Sequence, residues 1–199
     1  MKKILIAIGA TATFIGTQPA IGYAEQFFAH ADIVNTKYFQ EEKHFESVAP
    51  LLSNVEKAVE CLALNIYHEA RGEEKLSRYA VAWVTMNRVK SNRFPDTVCE
   101  VVHQGRISRW HIENTGKVVP LRNQCQFSWW CDGKSDEVHE LKAFEDAREI
   151  AIDVLLDKTK ADPTKGSLWY HADYVNPNWS SSYHRVARIG SHIFYREDD

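Results

Sequence analysis

Apolar residues recur at three- and four-residue steps through Val55, Ala58, Val59, Leu62 and Ile66, which predicts a helix over 55–70 with one face turned inward. A second such pattern predicts a helix over 74–89, with Leu76, Tyr79, Ala80, Trp83 and Val84 on its inner face and Phe94-Pro95 closing the segment. Thr97 has the position of an N-cap for a short helix running to His103. Residues 105–123 are polar and aperiodic, the pattern of a surface loop. A last helix is expected over 138–157, with Leu141, Phe144, Ala151, Val154 and Leu155 facing inward. After the turn-rich ADPTKG the pattern changes: SLWYHA reads as a strand, and RVARI and HIFYR flank Gly190-Ser191 as in a tight two-residue hairpin. These elements predict an α+β domain, mostly helical, with a small antiparallel sheet near the C-terminus. No internal repeat or low-complexity tract interrupts them.

The N-terminus changes the picture by setting the compartment. Lys2 and Lys3 precede the apolar run ILIAIGATATFIG, Pro19 breaks any helix, and Gly22-Tyr23-Ala24 offers small-x-small residues for cleavage. Residues 1–24 are therefore expected to be a secretory signal peptide. The apolar run is shorter than the ~20 residues a permanent span needs, so no stable membrane span is expected once the signal is removed. A weak N-terminal anchor is the alternative. Residues 25–54 carry mixed charge and no sustained period and read as an N-terminal extension, leaving 55–199 as one folded domain.

Charge and cysteine count narrow the partners. The chain has a formal net charge of −3, becomes more acidic once Lys2 and Lys3 are removed, and holds no Lys/Arg block. That argues against nucleic acid and against attachment to anionic lipid. Four cysteines in an exported chain point to disulfides. Cys125 and Cys131 close the short loop C-QFSWW-C, and Cys61 and Cys99 would then pair with each other, although sequence alone permits three connectivities. Zinc competes with this reading, but no C-x-x-C and no nearby His at ligand spacing supports it. Six Trp, eight Tyr and nine Phe supply an aromatic core or stacking platforms for sugar rings.

The densest chemistry lies in NIYHEARGEE, residues 65–74. Glu69 follows Ile66 by three residues and Leu62 by seven, which puts it on the buried face of the first helix, in its last turn. Burial, the negative end of the helix dipole and the nearby Glu73 would all raise its pKa, as a general acid requires, while Arg71 would oppose the shift. An ordinary helix-end carboxylate paired with Arg71 or a Lys is the competing reading. His68-Glu69 does not extend to H-E-x-x-H, because Gly72 stands where the second His would be. A Cys or Ser nucleophile is disfavoured by the use of cysteine in bridges and by the absence of G-x-S-x-G.

CLALNIYHEARGE, AVAWVTMNRV, FPDTVCEVVHQ, QFSWWCDGK, SLWYHADYVNPNW and RIGSHIFYR, six blocks in order across residues 60–196, resemble the cell-wall hydrolases of the SleB/CwlJ type. The resemblance implies a lysozyme-like, lytic-transglycosylase-like fold acting on the N-acetylmuramic acid–N-acetylglucosamine backbone of peptidoglycan. It implies that Glu69, the first Glu of E-A-R-G-E, is the catalytic acid. In a lytic transglycosylase one carboxyl serves as acid and then as base, and the products carry 1,6-anhydro-muramoyl ends. A hydrolytic muramidase would need a second carboxylate, for which Glu73 is the candidate. Gly72 argues that Glu73 instead belongs structurally to the start of the next helix. A non-catalytic glycan-binding protein is the third reading.

Around Glu69, the amide of Gln126 and the hydroxyl of Ser128 suit sugar N-acetyl and hydroxyl groups, and Trp129 or Trp130 suits a pyranose face. Phe127 is assigned to the core. Tyr170 and His171 resemble the family's aromatic-polar pair near the active site, with His171 as a base the less favoured role. Asn87 and Arg88 are read as supporting the fold, and His192 is given no role. No metal or cofactor is demanded by any spacing. The expected partner is the glycan strand of peptidoglycan, met by a monomer in the periplasm or cell envelope, or by a phage-encoded enzyme. A spore-specific role does not carry over, since no separate peptidoglycan-binding repeat is visible.

Overall fold

The computed structural model describes residues 50–156 and 161–197. The expected signal peptide, and residues 25–49 of the expected extension, lie outside them. Helix α1 runs over 50–70, so residues 50–54, read from sequence as extension, are helical. It buries Val59, Leu62, Ala63, Ile66 and Ala70, the stripe that the three- and four-residue spacing predicts. Leu62 and Ile66 are fully buried, a contribution of about 1.5–3 kcal/mol for each side chain.

Helix α2, Lys75–Lys90, passes through the core: Ala80 to Thr85 are all buried, with the other helices on one side and the C-terminal sheet on the other. Its first turn overhangs this sandwich. Leu76, expected to face inward, is consequently 57% exposed, and Ser77 is buried in its place. Helix α3, Val98–Val102, starts as expected at Thr97, whose hydroxyl accepts from the Glu100 backbone N–H.

Residues 105–123 correct the expectation of a loop. They form strand β1 (Gly105–Ile107), helix α4 (Arg109–Thr115) and most of β2 (Pro120–Cys125), with β1 and β2 antiparallel. Local capping rather than burial holds this excursion. The Ser108 hydroxyl accepts from the His111 backbone N–H, and Gly116 closes α4 at φ +67° with its N–H bonded to Ile112 O. Trp110, Ile112 and Val118 remain exposed, which is why no hydrophobic period announced the elements.

Helix α5, Leu141–Leu156, buries Ala147, Ile150, Ala151 and Val154 against α1, α2 and α3. Leu141, expected inward, is 73% exposed because it too lies in a first turn beyond the core. Strands β3 (Trp169–Ala172), β4 (His184–Ile189) and β5 (His192–Arg196) make an antiparallel sheet in the order β3-β5-β4. Gly190 turns the β4–β5 hairpin at φ +57°. The result is the mostly helical α+β class expected, with small antiparallel sheets. From Leu51 onward the chain is one compact unit. No helix of the described residues is long and apolar enough to cross a membrane.

Candidate active site

Glu69 sits in the last turn of α1, half-buried, on the inward-facing stripe. The Tyr170 hydroxyl, from β3, donates a hydrogen bond to its Oε2 at 2.9 Å. Sheet register explains why Tyr170 reaches it. Tyr170 pairs with Phe194, and this face of the sheet packs on Ala80 and Val84 of α2. Burial raises the Glu69 pKa above the ordinary carboxylate value; the Tyr170 hydrogen bond and the Arg88 guanidinium oppose it less strongly. The same burial, with Glu69 beside it, holds the Tyr170 hydroxyl well above its ordinary value, so it remains a donor.

Two neighbours differ from the sequence reading. Arg71, expected to bear on Glu69, lies over the Tyr67 ring and pairs with Glu140 at 3.1 Å on the surface. The cation whose charge favours the ionised form of Glu69 is Arg88, which the sequence assigns to supporting the fold. Glu73, expected to raise the Glu69 pKa, is turned away into the β4–β5 hairpin. It accepts from the Ser191 hydroxyl at 2.5 Å and the Ser191 backbone N–H at 3.3 Å, and the former lowers its pKa most. α1 ends at residue 70, so Glu73 is not on the same helix as Glu69. Arg78 satisfies the carbonyls of this junction, with Nη2 donating to Arg71 O and Nε to Glu73 O.

The loop between Cys125 and Cys131 docks on the same last turn of α1. Bridges join Cys125 to Cys131 and Cys61 to Cys99, the pairing expected. Phe127 is buried, as assigned. Trp129, expected with Trp130 as a candidate for stacking on a sugar ring, is buried as well, at 8% exposure, so little of its ring is open. One ring face stacks on His68 with centroids 4.5 Å apart, and Nε1 donates to the buried Asn65 Oδ1 at 2.9 Å. Asn65 in turn donates to Thr85 on α2 at 3.1 Å. What remains open of Trp129 lines a cavity of about 320 Å³ with Tyr67, His68, Arg71 and residues of the 132–139 segment. Gln126 and Ser128, on either side of the buried Phe127, are exposed, while the Gln126 backbone N–H is pinned to Gln104 O at 2.8 Å.

His171 does not join Glu69. Adjacent strand residues face opposite sides, so with Tyr170 turned inward His171 lies on the outer face of the sheet. There its Nδ1 donates to Ala172 O at 2.8 Å and its Nε2 meets the Tyr195 hydroxyl at 2.9 Å. The ring also stacks on Tyr195 and meets the edge of Trp179, which occupies it structurally. His192, given no role from sequence, is buried with its ring edge-on to Tyr170 at 5.2 Å. Its register against Ile189 could have been anticipated from the hairpin, but its contact with Tyr170 depends on β3 pairing with β5. Asn87 supports the fold as read, donating to Asp162 and to Ser167 O. Among the described residues no group of three or more His, Cys, Asp or Glu side chains is arranged to hold a metal ion. The arrangement presents one carboxyl whose pKa is raised by burial and a hydroxyl that orients it.

A family model described as Cell Wall Hydrolase matches residues 72–195, beginning three residues after Glu69. The spore cortex-lytic enzyme of Halalkalibacterium halodurans is 30% identical over 154 residues, 71% of this chain and 39% of that protein. The spore cortex-lytic enzyme of Bacillus subtilis is 29% identical over 137 residues, 68% of this chain and 36% of its own length. The chain thus spans less than half the length of these curated relatives. Among solved structures, the catalytic domain of the Bacillus cereus SleB protein matches at 26% identity and a TM-score of 0.47, covering 71% of this chain and 91% of that one. On the extent of the family match, the chain belongs to the cell wall hydrolase family.

Proposed function

We propose that this protein is an exported, lysozyme-like peptidoglycan-degrading enzyme that cleaves the glycan backbone as a lytic transglycosylase, with Glu69 as its single acid/base. The observation that carries the reading is a half-buried carboxyl on the inward stripe of α1, held by the Tyr170 hydroxyl at 2.9 Å, whose pKa burial raises. Such a group is protonated at a pH where ordinary carboxyls are not, which is what donation to a glycosidic oxygen requires. The proton passes from Glu69 to the bridging oxygen as the muramoyl C1–O bond breaks. The ionised Glu69 then takes the proton of the muramoyl C6 hydroxyl as its oxygen bonds to C1. The 1,6-anhydro ring closes, Glu69 regains its proton, and no water is consumed. Tyr170 holds the carboxyl through both steps.

A hydrolase would need a second carboxylate to activate water or form a covalent intermediate. Glu73 is poorly suited, since both its oxygens are engaged by Ser191. Gln126 and Ser128 are the proposed contacts to sugar N-acetyl and hydroxyl groups; Trp129 contributes by holding their loop rather than by stacking on substrate.

Incubating the purified protein with peptidoglycan, followed by mass analysis of the muropeptides, tests the reading. Anhydro-muramoyl ends are expected. Reducing ends would replace the lyase with a muramidase, and intact glycan would make the protein a binder. Glu69→Gln is expected to lose roughly 10²–10⁴-fold in rate; cleavage at the wild-type rate would overturn the assignment of Glu69.

A further inference from the structure

Arg88 is 4% exposed, in the last turn of α2. Along that helix Ala80, Val84 and Arg88 form one stripe at four-residue steps, and its first two members pack on Phe194 and the Tyr170 ring. The guanidinium is held from three sides. Its Nε donates to Leu168 O at 2.8 Å, two residues before Tyr170 in the chain, and its plane lies over Phe127 at 4.9 Å and Phe94 at 5.2 Å. Among the described residues no carboxylate lies within ion-pair distance of it, and its buried Nη1 has no hydrogen-bond partner. A guanidinium stays charged at any accessible pH, and a buried charge is costly unless another charge compensates it.

The charged and titratable groups around Glu69 are otherwise committed. Arg71 pairs with Glu140, Glu73 with Ser191, and His68 with Asp136 O and Trp129. His192 meets the edge of the Tyr170 ring, and Tyr170 bonds Glu69 itself. Two acidic groups bear on Arg88, the Tyr170 hydroxyl and Glu69; burial holds the Tyr170 hydroxyl well above its ordinary pKa, which leaves Glu69 as the one that can supply a negative charge.

From this geometry we infer that Arg88 is a positioning residue for the acid/base chemistry: a fixed buried cation, anchored on Leu168 O two residues before Tyr170, that is compensated only when Glu69 is ionised. With Glu69 protonated the buried group of three carries one positive charge; once the proton has left it carries none. Burial favours the protonated form of Glu69, and Arg88 limits the cost of releasing the proton to the leaving oxygen. Without Arg88 the carboxyl would hold its proton too tightly to be an effective donor. This inference rests on Glu69 as the acid/base.

Its test is a titration that needs no substrate, so its outcome is separate from that of the cleavage assays. The Glu69 carboxyl is followed by carbon-13 NMR in labelled protein, assigned by the signal missing in Glu69→Gln. Arg88→Met is expected to lower the acid dissociation constant of Glu69 about tenfold, and Arg88→Lys to leave it within about threefold of wild type. The alkaline limb of the cleavage pH profile should move upward in Arg88→Met, and its rate should fall. A folded Arg88→Met whose Glu69 titrates as in wild type would overturn the inference. If the Met variant does not fold, the wild-type Arg88 nitrogen resonances decide: they should shift with the Glu69 midpoint, and constancy through that midpoint would equally overturn it.

Discussion

Burial at the end of α1 makes the Glu69 carboxyl bind its proton more tightly than the same group in an unfolded chain, although the hydrogen bond from the Tyr170 hydroxyl pulls the other way. The unfolded state therefore ionises first as pH rises. Between the unfolded pKa, about 4.3, and the higher folded value, the native state holds the extra proton, so the contribution of Glu69 to stability is full below that window and is lost across it. Glu69→Gln cannot ionise and escapes this loss. Thermal unfolding from about pH 4 to about pH 8 should show wild type losing stability relative to Glu69→Gln as pH rises; a constant difference would mean the Glu69 pKa is not raised. The inward direction of Glu69 was legible because Leu62, Ile66 and Glu69 share one helical face. Its electrostatic partner was not. Arg71 is near in sequence but turns outward to Glu140, and Arg88 is distant in sequence but buried against β3.

At the scale of elements, the β4–β5 hairpin is fastened to the α1–α2 junction by Ser191 and Glu73. Gly190 is required there twice over. Its φ is +57°, and a Cβ at this position would collide with Ser77 Oγ and Glu73 Oε2. Gly190→Ala should cost about 1–3 kcal/mol in urea unfolding, and an unchanged midpoint would show that the hairpin can shift freely. Because β5 lies between β3 and β4, loosening this fastening should also reach Tyr170. The hairpin and its glycine were readable from RVARI-GS-HIFYR; the fastening was not, since it joins residues more than a hundred positions apart. The excursion over 105–123 was misread for the opposite reason. Its order is local, made by caps and turns, and leaves Trp110 and Val118 in solvent, so periodicity had nothing to report.

For the whole molecule, two bridges tie the layers. Cys61–Cys99 joins α1 to α3 across a sequence separation of 38, and Cys125–Cys131 closes a separation of 6. On loop-closure entropy the first contributes about 4 kcal/mol and the second about 2 kcal/mol. Replacing each pair by serine should reproduce that order of stability in denaturant. The expected effect on cleavage is the reverse, with loss of the smaller bridge the more damaging, because its loop carries Gln126 and Ser128. Equal loss of activity from both pairs would remove the proposed role of that loop.

The sequence by itself determined the helices with strong periods, the C-terminal hairpin, the short loop between Cys125 and Cys131, and the glutamate to examine. Each follows from interactions within a few residues or from a repeat along one element. Only the tertiary structure decided which face of β3 meets Glu69, and so separated Tyr170 from His171. It also buried Trp129 on His68, sent Glu73 to Ser191 and made Arg88, not Arg71, the cation whose charge bears on the carboxyl. Those outcomes depend on how α1, α2 and the sheet stack, and a side chain's charge partner in a packed core is chosen by that stacking rather than by its neighbours in the chain.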